Sequence, residues 1–143
     1  IGDFKETSLT ETIRLFSEKA TGIVYYGYVG CPWCERALPE LNQVALKYGV
    51  PIYYVDASVS PDHDDYITLT NDFGDILKTD EETGEKEMYV PMVVGIKDGK
   101  VVGSHTALVD SFEIKDETSQ MNDKQKKELQ DIYTDIILKV ADE

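Results

Sequence analysis

The sequence is poor in cysteine, in basic residues and in long apolar runs. Its two cysteines among 143 residues are too few for a disulfide scaffold, which needs several pairs spread along the chain. The 14 lysines and arginines face 28 aspartates and glutamates, and the net charge of −14 would repel nucleic acid and anionic membrane surfaces. No apolar run approaches the roughly 20 residues that span a bilayer. We therefore expect neither a nucleic-acid partner nor a membrane-spanning segment.

The apolar content indicates a folded protein. Hydrophobic residues make up 41% of the chain and aromatic residues 10%, which is too many for a disordered segment and suits one compact domain over residues 1–143. The sequence begins at Ile1 with neither a methionine nor a signal-peptide pattern. We expect this start to be a point of processing or trimming, so that any targeting segment is lost from view.

The first predicted element is a short amphipathic helix. Ser8 and Glu11 form a capping-box pattern ahead of apolar residues at helical spacing, which predicts a helix over about 9–20. Gly22 is expected to end this helix, and an edge strand is expected around Phe4.

A strand, a helix and a second strand should follow. The aromatic and β-branched run at 23–26 predicts a buried central strand, and a similar run at 52–55 predicts another. The helix between them should reach about Tyr48 and end at Gly49, with Pro39 inside it as a kink. This order predicts a right-handed parallel crossover.

Residues 56–87 are unusually acidic. They contain eleven aspartates and glutamates against two lysines, a local charge of −9. We interpret the segment as a partly helical, solvated acidic insertion that ends in a Glu-Thr-Gly-Glu turn. A docking surface for a basic partner is the alternative. The apolar residues expected to anchor the segment are Ile67, Leu69, Phe73, Ile76 and Leu77.

The last third predicts a hairpin and a helix. Asp98-Gly99 lies between the β-branched runs 92–96 and 100–103, and such a dipeptide is the strongest short signal for a β-hairpin. A C-terminal amphipathic helix is predicted over 122–141.

The two cysteines carry the clearest chemistry. Cys31 and Cys34, separated by Pro32 and Trp33, lie where the predicted central strand meets a helix, so the first sulfur is expected at the helix N-terminus. Unpaired backbone N–H groups and the helix dipole favour a thiolate there. We predict that Cys31, the more exposed of the two, is the nucleophile. Cys34, three residues on, can then resolve a mixed disulfide formed at Cys31.

Two structural alternatives compete with this interpretation. The cysteines could form half of a zinc site with His63 and His105, or an inert structural disulfide, although so short a loop gains little closure entropy. His63 also lies among three aspartates, but without the spacing of a calcium loop. We expect His63 in a solvated loop and no bound metal.

In these features the chain resembles the thioredoxin superfamily, from about residue 8 to the C-terminal helix. The matching segments are Cys31-Pro32-Trp33-Cys34 at the family's redox-active site, Pro39 in its active-site helix, Val90-Pro91 at its cis-proline, and Lys97-Asp98-Gly99-Lys100 at its last hairpin. The resemblance implies a thioredoxin-like α/β fold with a mixed central sheet flanked by helices. The acidic insertion would precede the cis-proline strand.

The resemblance also implies a place for the substrate. The Val90–Pro91 bond would be cis and face the Cys31 sulfur, with the backbone of Val90 pairing with an extended substrate. An ordinary trans proline is the alternative. Trp33 and Tyr28 are expected to form an apolar rim around the sulfur, with plain core packing as the alternative.

The chain departs from the family at the proton carrier. Tyr25 stands where thioredoxins bury an acid, and Tyr54 or a neighbour stands where a lysine often accompanies it. Proton transfer to Cys34 could use water, the Tyr25 hydroxyl or Glu35. The Pro-Trp dipeptide is closer to glutaredoxins and envelope oxidants than to thioredoxins, which leaves both reduction and oxidation possible.

The resemblance implies a thiol–disulfide oxidoreductase that acts on protein thiols and disulfides and exchanges electrons with a redox partner. The dithiol carries the electrons itself, so no cofactor is expected, and we expect a monomer. A glutaredoxin would need a Gly-Gly pair after the cis-proline, which is absent. A non-catalytic binding module, for example in peptide export, is the alternative. Similarity to envelope lipoproteins and bacteriocin-transport accessory proteins of Gram-positive bacteria favours the bacterial cell envelope over the cytoplasm.

Overall fold

The computed structural model describes residues 4–141. Its elements in chain order are β1 (Phe4–Thr7), α1 (Leu9–Ser17), β2 (Gly22–Gly27), α2 (Pro32–Tyr48), β3 (Ile52–Asp56), α3 (His63–Phe73), a single 3₁₀ turn (Gly74–Ile76), β4 (Lys78–Thr79), β5 (Lys86–Glu87), β6 (Met92–Lys97), β7 (Lys100–Thr106) and α4 (Asp123–Ala141).

The centre of the fold is a mixed five-stranded sheet in the order β1-β3-β2-β6-β7. Strands β1, β3 and β2 are parallel, whereas β6 and β7 run antiparallel to their neighbours. Strands β4 and β5 form a separate two-stranded sheet. The predicted mixed sheet flanked by helices is confirmed, as are the edge strand at Phe4 and the parallel pairing of β2 with β3.

The sheet has a hydrophobic core on each face, and strand β2 contributes side chains to both, because successive side chains point to opposite faces of a sheet. Ile23 and Tyr25 pack into the core beneath α2 and α4. Val24 and Tyr26 pack into the other core, which α1 and α3 cover. A central strand buried on both faces explains why its sequence lacks polar alternation.

The start of α1 is as predicted, but its end is not. The Glu11 N–H donates to the Ser8 hydroxyl at 3.1 Å. The helix stops at Ser17 because Lys19 adopts a left-handed conformation with φ of 55°. Gly22 does not end the helix. It opens β2, where an added Cβ would lie 2.9 Å from the ring of Tyr53.

Helix α2 follows its prediction closely. It begins with Pro32, at a position where a missing N–H costs nothing, and it ends before Gly49, whose φ is 65°. Pro39 lies within it.

The acidic segment 56–87 combines α3, the 3₁₀ turn and the β4–β5 hairpin. Leu69, Phe73 and Leu77 are buried and anchor the segment on the sheet, and Ile76 is partly buried against the same core. Ile67 is 44% exposed, so the prediction that it is an anchor is wrong. Two residues before Leu69, it lies on the outer side of α3. The interpretation of 56–87 as an insertion stays a prediction.

The last two elements confirm their sequence patterns. Asp98 and Gly99 both have positive φ, 52° and 78°, in the turn between β6 and β7. At the start of α4, the Asn122 side chain accepts the backbone N–H of Gln125, and the Gln125 side chain accepts the backbone N–H of Asn122. Within residues 4–141, no helix is long and apolar enough to cross a membrane.

Candidate active site

The two cysteines lie at the junction of β2 and α2, as the sequence predicted. Gly30, with φ of 94°, turns the chain out of the strand, and the Cys31 N–H donates to the carbonyl of Tyr28 at 3.4 Å. Cys31 is the N-cap of α2, where its sulfur accepts the N–H of Cys34 at 3.3 Å. Both side chains are free thiols. One sulfur therefore accepts a hydrogen bond from the helix N-terminus, the environment that stabilises a thiolate.

The cysteines do not differ in exposure. Each is 3% exposed, so the prediction that Cys31 is the more exposed one is wrong. What distinguishes the two is their surroundings, since Cys31 lines an open groove whereas Cys34 faces the interior beside Tyr25.

The groove has a volume of about 800 Å³. It brings together five of the predicted site residues: Tyr28, Cys31, Pro32, Trp33 and Val90. Trp33 is 48% exposed and Tyr28 38%, so neither belongs to the core. They form part of the groove wall next to Cys31.

Val90 precedes β6, and its peptide bond to Pro91 is cis. Val90 lines the groove, whereas Pro91 is buried and its carbonyl accepts the N–H of Ala107 at 2.8 Å. Within this pair, Val90 is thus the residue that the structure places beside Cys31. Its role in holding a substrate stays a prediction.

The far wall of the groove comes from the acidic segment. Residues of α3 line it, together with Leu77 and the residues from the end of β5 onward: Tyr66, Leu69, Thr70, Phe73, Glu87, Met88 and Tyr89. The Tyr66 hydroxyl donates to the carbonyl of Lys86 at 3.0 Å and joins α3 to β5. The interpretation of residues 56–87 as a solvated acidic insertion did not predict this wall, because only the tertiary fold brings α3 to the groove that Cys31 lines.

Cys34 is buried, and burial together with three neighbouring groups sets the pKa of its thiol. Burial raises the pKa of its thiol, and a hydrogen bond with Cys31 raises it further. Hydrogen bonds with the backbone of Tyr28 and with the Tyr25 hydroxyl act in the opposite direction and lower this pKa. Both stabilise the charged form of the sulfur.

Tyr25 is held in place from two sides. Tyr25 is 1% exposed. Its ring centroid lies 5.2 Å from that of Tyr54, the residue opposite it on the neighbouring strand β3. Its hydroxyl lies over Gly27, where an added Cβ would be 2.6 Å away. Burial raises the pKa of Tyr25 far above its ordinary value, and the charge of Cys34 adds to the shift.

Glu35, the other candidate for proton transfer, faces elsewhere. It is exposed and lines a second cavity of about 710 Å³ with Glu6, Leu38 and Tyr54. Cys34 does not line this cavity, and Glu35 is not among the groups that shift the pKa of Cys34. Of the two candidate side chains, Tyr25 is the one that influences the pKa of Cys34.

Arg36 is a structural residue that the sequence interpretation missed. It is only 7% exposed and donates hydrogen bonds to the carbonyls of Pro32, Asp116, Glu117 and Ser119. Arg36 thereby joins residues 116–119, which precede α4, to the first turn of α2. Nothing in its local sequence signals this, because three of its acceptors lie about 80 residues away.

Neither histidine belongs to a cluster that could hold a metal ion within residues 4–141. His63 begins α3 and lines the groove, and His105 lies in β7 with Nε2 2.6 Å from the carbonyl of Leu108. In the described part of the chain, no three histidine, cysteine or acidic side chains cluster closely enough to hold a metal ion. The half-zinc-site alternative therefore gains no support.

Comparison with known proteins identifies the fold of the chain. No protein-family model matches the chain, and no curated protein is similar to it. A solved protein of thioredoxin fold matches at a TM-score of 0.51 and 16% identity, over 73% of this chain and 82% of the other. Thioredoxin O1 from Arabidopsis thaliana matches at a TM-score of 0.49 and 15% identity, over 92% and 99%.

The first of these matches has a thioredoxin fold, and its similarity to this chain concerns the fold alone. The narrower resemblance to bacteriocin-transport accessory proteins stays a prediction. The chain has the thioredoxin fold.

Proposed function

We propose that this protein is a thiol–disulfide oxidoreductase in which Cys31 and Cys34 form the reactive pair. The observation that supports this most is the position of the Cys31 sulfur. It accepts the N–H of Cys34 in the first turn of α2, and Cys31 also lines an open groove. The helix end favours the thiolate that reacts, and the groove gives a substrate access to it.

The reaction exchanges two electrons between two pairs of sulfurs. In the reducing direction, the Cys31 thiolate attacks a substrate disulfide, which forms a mixed disulfide and releases one substrate thiolate. Cys34 loses its proton and attacks the Cys31 sulfur, so that the Cys31–Cys34 disulfide forms and the second substrate thiolate leaves. The released thiolates take up protons from solvent. The oxidising direction is the reverse.

The groove supports a polypeptide as the substrate. Tyr28 and Trp33 offer exposed aromatic surface in the groove that Cys31 lines, and Val90 lines the same groove, where its backbone would pair with the substrate. A segment that carries the reacting cysteine would lie between them. No cofactor is needed, since the dithiol holds the electrons, and a redox partner must return the pair to its starting state.

Two further features extend this proposal. The protein would act as a monomer, because each step uses groups of a single chain. Its place would be the bacterial cell envelope, with the cytoplasm as the alternative. The resemblance to anchored lipoproteins described under Sequence analysis is what supports that location.

The Cys31→Ser and Cys34→Ser variants test the proposal. With a disulfide peptide as substrate, C31S should lose the reaction, whereas C34S should stop at a covalent complex that mass spectrometry detects. The Cys31→Ser, Cys34→Ser double variant is the control for uncatalysed exchange. Equal rates for C31S and the unaltered protein would contradict the proposal and leave the non-catalytic binding module as the explanation of the fold.

A further inference from the structure

The groove beside Cys31 reaches the hydrophobic core that α1 and α3 cover. Its volume of about 800 Å³ lies within the range of roughly 300–1,000 Å³ that is typical of ligand sites. Seven of its lining residues belong to that core or pack against it: Leu9, Ala57, Leu69, Phe73, Leu77, Met88 and Val90. An apolar side chain that enters the groove can therefore leave water and pack against other apolar groups.

Three exposed aromatic side chains also line the groove. They are Tyr28, Trp33 and Tyr89, which are 38%, 48% and 44% exposed. Tyr89 directly precedes Val90 and its cis bond to Pro91, and the sequence interpretation did not include it in the site. Exposed apolar groups that cluster on a concave surface indicate an interaction site, and aromatic side chains contribute most to such contacts.

The charges around the groove are mainly negative. Glu87 lines it, and among its described lining residues none is a lysine or an arginine. Lys78, opposite Glu87 in the β4–β5 pair, lies over the Tyr89 ring at 5.7 Å from the centroid, and Lys86 donates to the carbonyl of Gly74 at 2.9 Å. With both lysines counted, the segment 56–87 has a charge of −9. A carboxylate in the groove would be repelled.

We propose that the groove selects a flexible polypeptide segment with a large apolar side chain, and no carboxylate, beside its reacting cysteine. This inference rests on the proposed function. The apolar side chain lies against Tyr89 and the α3 residues of the groove, which makes Tyr89 a specificity residue. The segment must be flexible because Cys31 is only 3% exposed, so the substrate sulfur has to enter the groove to reach it.

The test compares peptides of equal length whose single cysteine forms a mixed disulfide with 2-nitro-5-thiobenzoate. The Cys31 thiolate attacks the peptide sulfur, and the coloured thiolate leaves with the electrons of the broken bond. The residues that flank the cysteine are phenylalanine, alanine or aspartate, and each rate is divided by the rate with glutathione to correct for intrinsic reactivity. The phenylalanine peptide should react about tenfold faster than the alanine peptide. The aspartate peptide should react more slowly than both, and salt should reduce this penalty.

Tyr89→Ala should bring the ratio of the phenylalanine to the alanine rate close to one. Tyr48→Ala is the matched control, because Tyr48 is 38% exposed, has a lysine over its ring at 5.6 Å and does not line the groove. It should keep the ratio of the unaltered protein. Both rates come from one sample, so a partial loss of folded protein cancels in the ratio.

The outcomes separate the inference from the proposed function. Equal rates with the phenylalanine and alanine peptides, or an equal change in Y89A and Y48A, would overturn the selection by Tyr89 while disulfide exchange stands. If no peptide reacts faster with the unaltered protein than with C31S, the proposed function itself fails.

The exclusion of carboxylates has its own pair of variants. Glu87→Gln and Glu82→Gln each remove one negative charge from the acidic segment, but Glu82 is exposed in the turn between β4 and β5 and does not line the groove. The penalty of the aspartate peptide should fall further in E87Q than in E82Q. Equal penalties in the two variants would overturn this part of the inference.

A binding measurement does not depend on disulfide exchange. Trp33 is the one tryptophan of the chain and lines the groove, so its fluorescence reports occupancy. The peptides are used with serine in place of cysteine, which removes the reaction. The phenylalanine peptide should change the emission saturably, and at lower concentration than the alanine peptide. Identical titrations with the two peptides would overturn the inference.

Discussion

At the scale of single residues, hydrogen bonding and position separate the two cysteines where exposure does not. The Cys31 sulfur accepts the N–H of Cys34 in the first turn of α2, whereas burial is the main influence on the pKa of the Cys34 thiol and raises it. The proposed order of reaction rests on position, because Cys31 lines the groove and could meet a substrate first. Gly27 takes part in the site through the Tyr25 hydroxyl that lies over it, although it has no functional group of its own.

Gly27→Ala should therefore disturb the site without touching a sulfur. The added Cβ would lie 2.6 Å from the Tyr25 hydroxyl and 2.8 Å from ring carbons of the same side chain. Overpacking of this kind costs roughly 1–3 kcal/mol in the free energy of unfolding, which urea denaturation measures. Gly103→Ala is the control, because its nearest atom would be 3.5 Å away. Equal losses in the two variants would contradict the packing described for Tyr25.

At the scale of elements, local sequence patterns predicted most of the fold. The capping boxes at Ser8 and Asn122, the Asp98-Gly99 turn and the end of α2 at Gly49 each depend on contacts within a few residues. The end of α1 was misplaced because the left-handed conformation of Lys19 has no marker in the sequence.

The site was predictable in part, for a similar reason. The cysteine pair and its helix are local features, and they were placed correctly. The groove wall from α3 and three of the four carbonyl acceptors of Arg36 come from distant parts of the chain. Without a tertiary structure, no spacing rule could bring them to the cysteine helix.

Arg36→Ala should loosen the attachment of the segment at 116–119 to α2. Removing the side chain would remove a donor that four carbonyls share, although the carbonyl of Asp116 also accepts the N–H of Ser119. We therefore expect a loss of roughly 2–4 kcal/mol in the free energy of unfolding. Arg14→Ala is a matched control. Among residues 4–141, the exposed Arg14 pairs with Glu11 and Glu18, and its loss should lower the stability far less than the loss of Arg36. Urea denaturation measures the free energy of unfolding of both variants. Equal values for the two would contradict the role of Arg36 in joining residues 116–119 to α2.

At the scale of the whole molecule, the buried thiol and phenols set the response to alkaline pH. Burial raises the pKa of Cys34 and also those of Tyr25 and Tyr133. Their neutral forms are thus favoured in the folded state. The resulting stability is complete below the ordinary pKa values, about 8.5 for cysteine and about 10 for tyrosine. It is lost as the pH rises towards the folded values, because the unfolded chain ionises first.

We therefore expect the free energy of unfolding to fall steadily above about pH 9. Urea denaturation at a series of alkaline pH values measures this. Cys34→Ser should show a shallower decline, since it removes the group that ionises first on unfolding. A stability that is constant across this range, or that rises with pH, would contradict the burial described for these groups.

The most direct test of the account is the redox equilibrium of the Cys31–Cys34 pair in glutathione buffers of graded potential. The account predicts one reversible two-electron transition that disappears in C31S. A potential near −270 mV would indicate a reductant, and one near about −120 mV an oxidant. A pair that shows no reversible transition in any of these buffers would contradict the proposal that this chain exchanges disulfides.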